Sequence, residues 1–463
     1  MPPRPAKYAP VSSAEVEMTG PSRDGDGLDG DGDGVEEDKA PAVATVGIRH
    51  LVAPIYVPCL LVAAAKAVQV PLVPLLGRET LGLSDAQIGY ALGAAGVGKV
   101  VADMCGAAIQ HKLGDKRSLL VGLGLMAAAT ALTAAAPDYY ALILSQALYG
   151  YGQGVTQLGR QSWLRVGVHS DVRGSVMALL GATTRAASVV GPLLGAALAS
   201  GLSTRAGLLL APAGCVLAAM TTAVTMASNE AATEKQGSTL GAISEVLRHH
   251  CAPLSRAATF GLLLFVSRTA RDVLLPLLTL HLNHGAVVAG AVVAVSYSVD
   301  AVLGTFVAGP LMDRFGRKAS AFASTAGLFL GFGAVYLALS AIDREDRTAQ
   351  LAAIYASAAL LGAGNGFSSG LVMTISTDLA PADNRAAFLS LFRVISDSGV
   401  ILGSALVGAV ANAFSLKLAA LLNAGVAALT LLFVLCFLQE TKPPPREKKP
   451  APPMVEAIET PGV

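Results

Sequence analysis

Between residues 51 and 438 the chain runs through one apolar stretch after another, and this recurrence limits its fold more than any other feature. Twelve stretches can be delimited: 51–76, 84–109, 117–136, 138–164, 174–200, 204–227, 257–283, 285–311, 319–341, 349–376, 386–414 and 416–438. About 20 apolar residues in a helix cross the hydrocarbon core of a bilayer. Inside that core every backbone N–H and C=O must be paired within its own segment, so single spans are helical. The reading is an all-α, multi-pass membrane protein of twelve spans with the lipid bilayer as its first partner. The composition agrees: 53% of residues are hydrophobic and 14% charged, with a mean hydropathy of +0.58. A soluble chain of this size carries far more charge. A net charge of +1 gives no sign of a nucleic-acid partner.

Residues 1–45 contain no apolar run, so no cleaved leader is expected, and their acidity argues against a transit peptide. Residues 1–48 read as a disordered acidic tail. Within it, Asp29, Asp31, Asp33 and Gly34 match the start of a calcium loop. The twelfth loop position is Ala40 rather than a bidentate acid, so no metal is assigned. Residues 229–256 read as a linker, with an amphipathic helix over 240–250 on the membrane surface. Residues 440–463, rich in Pro and Lys, read as a second disordered tail. Five cysteines show neither disulfide nor metal-ligand spacing and read as small packing residues.

Loop charges set an orientation. Alternate loops carry Lys112, Lys116 and Arg117, then Arg165 and Arg173, the linker, Arg314, Arg317 and Lys318, then Arg385. The other loops hold only Arg78, Arg205, Arg344, Arg347 and Lys417. The Lys/Arg excess places the first set, and both termini, in the cytoplasm.

The two halves, 49–228 and 257–439, repeat each other. At an offset of 202, Lys66 meets Arg268, Gln69 meets Arg271, Pro74 meets Pro276 and Gly114 meets Gly316. At an offset of 212, Gly150, Gly152, Gly154, Arg173 and Gly191 meet Gly362, Gly364, Gly366, Arg385 and Gly403. Paired halves are how transporters build a midplane site that opens to either side.

Between the eighth and ninth stretches lies Gly309-Pro310-Leu311-Met312-Asp313-Arg314-Phe315-Gly316-Arg317-Lys318. Its pattern G-x-x-x-D-R-x-G-R-K resembles the signature loop of the major facilitator superfamily. Gly309 is expected to let helices approach closely. In the first half His111 stands where the Asp would be, so a latch built on that Asp falls to Asp313 alone. Gln146 opens Q-x-x-x-G-x-G-x-G, similar to the family's fourth-helix pattern but with Gln in place of the Arg associated with proton coupling. Gly191-Pro192-Leu193-Leu194-Gly195 resembles part of the antiporter pattern, and Pro and Gly inside a span bend it and admit close neighbours. The resemblance implies two six-helix halves, a small-molecule substrate, no cofactor, alternating access and efflux in exchange for protons, as in multidrug antiporters. A monomer is expected.

Ionisable residues inside spans are costly and mark function more often than structure. Lys66, Lys99, Arg185, Arg268, Arg271, Asp272, Asp300 and Asp397 fall near mid-depth, with Asp103 and Arg393 nearer one face. Lys99/Asp103, Arg268/Asp272 and Arg393/Asp397 are four apart, so each couple shares a helix face and can neutralise itself. On the family's helix arrangement Arg185 is expected to pair with Asp300 between the halves. Lys66, Gln69, Arg185, Arg268 and Arg271 are then candidate cavity residues for an anionic or zwitterionic substrate. Asp300, Asp397, Asp272 and Asp103 are candidates for proton coupling. Organic-anion uniport or symport is the alternative, and a non-transporting receptor-like protein a further one. No nucleophile–base set is present, so no enzyme is expected.

Overall fold

The computed structural model describes residues 51–167, 170–226, 239–341, 346–381 and 383–441. Both tails and the calcium-like loop lie outside them. The described residues form fourteen helices and no strand. They are α1 (Val52–Thr80), α2 (Asp85–Gly106), α3 (Lys112–Ala135), α4 (Tyr139–Gly167), α5 (Val176–Gly201) and α6 (Thr204–Thr225). A surface helix follows, α7 (Thr239–His249), then α8 (Cys251–His281), α9 (Ala286–Phe306) and the short α10 (Ala308–Phe315). The last four are α11 (Arg317–Ser340), α12 (Arg347–Leu379), α13 (Arg385–Ala413) and α14 (Leu416–Cys436).

Among the described residues, ten helices are long and apolar enough to cross a membrane. The other two expected spans are α4 and α8, at 29 and 31 residues. Both have the length. Their interiors are diluted by Gln146, Gln153, Gln157 and Arg160 in α4, and by Arg268, Arg271 and Asp272 in α8. Of these, Gln146, Gln153, Arg268, Arg271 and Asp272 face a central cavity.

The duplication is visible in the packing. Helix α1 packs on α5 and α6, and α8 packs on α13 and α14. Helix α4 packs on α2 and α3, and α12 packs on α9 and α11. Equivalent glycines make equivalent contacts. A methyl group at Gly150 would strike the Ala95 carbonyl, and one at Gly362 the Ser296 carbonyl. Gly191 lies against the Ala64 carbonyl and Gly403 against that of Val266, and those two partners are themselves 202 apart. Small residues of this kind let membrane helices close on each other where apolar burial provides no drive.

The two signature turns share one backbone shape. Gly114 has φ 74 and ψ 169, and Gly316 has φ 94 and ψ 170, a region favouring glycine. At the second turn the Glu440 carboxylate accepts hydrogen bonds from the backbone N–H of Arg317 (2.9 Å) and Lys318 (3.1 Å). It thereby caps the first turn of α11, where an acid is favoured. Arg317 Nε and Thr441 Oγ1 both donate to Asp378, at 3.2 and 3.1 Å. We call this side the basic-loop face and the opposite side the far face. Gly309 departs from expectation, because a Cβ added there would meet nothing within 4 Å, so it mediates no close approach. Asp313 is exposed and forms no ion pair with another described residue. Cysteines 59 and 215 are buried as expected, whereas Cys105, Cys251 and Cys436 are exposed.

Candidate functional site

The halves meet along two seams, α2 against α13 and α5 against α9. Near the far face Gly89 lies against Gly408 and Ser404, and Gly290 against Pro192 and Ala196. Asp85 of α2 adds a charged contact there. Its Oδ2 is 2.8 Å from His281 Nε2 on α8, and its Oδ1 accepts from Arg78 Nη1 at 3.1 Å. Sequence reading missed this group because its three members lie at helix ends, where charges are ordinary.

Between the seams is a cavity of about 400 Å³. Every candidate cavity residue lines it: Lys66, Gln69, Arg185, Arg268 and Arg271, together with Asp272 and Asp300. Lys99, Gln146, Tyr149, Gln153 and Asn365 line it too. Asp103 and Asp397 do not.

The expected pairs within helices are not the pairs formed. Arg271 donates from Nε (3.0 Å) and Nη2 (2.9 Å) to Asp272 Oδ1, and its Nη1 is 3.7 Å from Asp300 Oδ2. Its guanidinium also lies 4.9 Å from the Tyr297 ring centroid, a cation–π distance. Arg268, instead of meeting Asp272, donates from Nε to Asn365 Oδ1, and Asn365 Nδ2 donates to Asp300. Neighbouring side chains win because Asp272 Oδ1 accepts two charge-assisted hydrogen bonds from Arg271, more than a single i,i+4 contact would give. Arg185 and Asp300 do not form the expected ion pair; the Arg185 side chain lies against Gly181 and Gly304. Lys99 reaches across to Asp397 at 3.0 Å, and Arg393 to Asp103 at 3.6 Å.

Asn365 is thus a joint of the site, and it was missed. A signal existed: at the offset of 212 it meets Gln153, and both amides sit between paired glycines and line the cavity. Asn365→Ala should lower stability by about 1.5–3 kcal/mol, the usual value of a hydrogen bond to a charged group. Thermal denaturation of the purified protein measures it.

Five cations and two acids line the cavity, with Asp397 compensating Lys99 from just outside. Lys66 is exposed to the cavity and has no hydrogen bond or ion pair to a described residue. Gln69 Oε1 and Tyr149 Oη are buried without a hydrogen-bond partner. The wall therefore offers unspent positive charge beside unspent polar groups. Gln146, which stands where the family pattern has Arg, donates instead to Thr133 Oγ1 at 3.2 Å.

Comparison with known proteins places these features. The sequence profile of the Major Facilitator Superfamily matches residues 59–266 and again 260–461, one match for each half. The chain belongs to that family of multi-pass membrane transporters. It is 33% identical over 123 residues to a D-xylose transporter of Levilactobacillus brevis, a match spanning 26% of this chain and about a quarter of that protein. Its fold is similar to the crystal structure of the nucleoside transporter NupG, with a TM-score of 0.71 at 13% identity, covering 85% of this chain and all of the other. Its family places it among membrane transporters rather than enzymes.

Proposed function

We propose that this protein moves a small organic anion across its membrane by alternating access, through twelve crossings and with both termini cytoplasmic. The observation that carries the substrate class is the cationic surplus of the cavity, with Lys66 free to meet a ligand. Lys66 faces the cavity among four other cations, and such like-charge crowding is costly inside a membrane protein. An entering carboxylate or phosphate relieves that cost and gains a charge-assisted hydrogen bond. Arg185 is the second contact we assign. Gln69 and Tyr149 supply polar groups suited to ligand hydroxyls, and the sugar- and nucleoside-transporting relatives support such a ligand. In this reading Arg268 and Arg271 shape the site from behind, because Asn365, Asp272 and Asp300 occupy them.

Proton exchange is the second reading. The likeness of Gly191-Pro192-Leu193-Leu194-Gly195 to the antiporter pattern supports it, and Gly191 and Gly195 both close on α1. Asp300 and Asp397 are its carboxylates, each held by a cation that must release it before a proton can bind.

Counterflow in proteoliposomes tests the proposal. Sugar acids and nucleoside monophosphates should exchange, and their neutral parents should exchange at least about tenfold more slowly, the cost of one unmet charge contact. Faster exchange of the neutral parents would overturn the anion assignment. Stimulation by an imposed pH gradient separates proton exchange from uniport.

A further inference from the structure

The charges on the α2/α13 seam carry a second arrangement besides the one they adopt. On α2, Lys99 and Asp103 are four apart; on α13, Arg393 and Asp397 are four apart. Each helix therefore bears one cation and one acid on a single face, close enough to pair. Yet the pairs formed run between the helices, Lys99 to Asp397 and Asp103 to Arg393. The helices are antiparallel here, so the two crossed pairs lie in order along the seam, towards the basic-loop face. The second pair is loose. At 3.6 Å, both Asp103 oxygens and Arg393 Nη2 are buried without a hydrogen bond, and Arg393 Nη1 turns to Gln161 of α4 at 3.0 Å.

We propose that these four residues form a partner-exchange joint that sets the cost of opening the basic-loop face. With the seam closed, the charges pair across it. As α2 and α13 part, each cation turns to the acid on its own helix, so no lone charge is left in the membrane interior. Two crossed pairs without this option would leave four unmet charges on opening, and the seam would stay shut. Lys99, Asp103, Arg393 and Asp397 are then positioning residues for the transport cycle rather than substrate ligands. This inference rests on the alternating-access reading. Its test uses no substrate, so it can fail while the anion assignment stands, and the reverse.

Charge swaps separate the two pairings. K99D/D397K keeps the crossed pair at 99 and 397 in reverse. It places like charges on each helix, so only the open arrangement is penalised. K99D/D103K keeps the pair within α2 but sets like charges across the seam, so the closed arrangement is penalised. The fourfold reversal K99D/D103K/R393D/D397K preserves both. The readout is hydrogen–deuterium exchange of residues 97–106 and 388–398 in the full chain reconstituted in liposomes.

Exchange should slow at least fivefold in K99D/D397K, quicken at least fivefold in K99D/D103K, and return to within threefold of the parent in the fourfold variant. Should a repulsive variant not be recovered, the neutral K99Q/D397N and K99Q/D103N are expected to shift exchange in the same two opposite directions. The proposal is overturned if the doubles shift exchange in the same direction or not at all. A fourfold variant that fails to fold or to revert also overturns it, because both of its pairings are intact.

Discussion

Lys66→Glu is expected to reduce counterflow of organic anions to the protein-free background, a loss of at least about 100-fold, with yield and helicity unchanged. The residue faces the cavity and has no described partner, so its replacement breaks no existing bond. What changes is the ligand's reception. A reversed charge repels an anion and removes a charge-assisted contact, and each 1.4 kcal/mol is a factor of ten. Lys66→Gln should retain part of the activity with a raised KM. Arg271 is also a candidate cavity residue on sequence alone, but the structure makes its reversal a poor probe. Arg271 is only 4% exposed and sits between Asp272 and Asp300. Placing a third acid there breaks a buried ion pair, at about 3–5 kcal/mol, so lost transport would report lost folding. Normal anion counterflow by the Lys66→Glu protein would sink the assignment of this residue.

Gly150→Val should prevent recovery of folded protein, whereas Gly333→Ala should be harmless. A Cβ at Gly150 would meet the backbone of Ala95, which cannot rotate away as a side chain can. Overpacking costs about 1–3 kcal/mol even where side chains can adjust, and here the helices themselves must separate. A Cβ at Gly333 meets nothing within 4 Å, and alanine gains about 1 kcal/mol of helix propensity. Size-exclusion profiles and thermal midpoints of the two variants test the contrast. A monodisperse, parent-like Gly150→Val protein would show that the α2/α4 contact tolerates expansion.

The architecture was legible because the bilayer imposes it. Spans must be apolar, about 20 residues long and helical, and these demands are written residue by residue. Where two spans fell short in hydropathy, the cause was their polar interior, and that same polarity marked them as cavity walls. The duplication was legible through glycine, since close approach of two backbones allows no other residue. The pairing of charges was not legible. Spacing along a helix shows which charges share a face, but whether Lys99 takes Asp103 or Asp397 depends on the distance to the next helix. Asn365 and His281 escaped for a related reason: an amide or an imidazole in a helix looks ordinary until its partner from another span is known. Gly309 misled in the opposite sense, since matching a pattern does not establish that the local space is tight.

The carboxylate of Glu440 holds two backbone amides of the Gly316 turn, and Thr441 reaches Asp378 beside it. The chain just beyond α14 is thereby pinned to a turn more than a hundred residues earlier, and residue 441 is held beside that turn. A dye or a bulky fusion attached at that point would feel every displacement of the turn, and a protein that grips the tail there would be pulling directly on the second bundle.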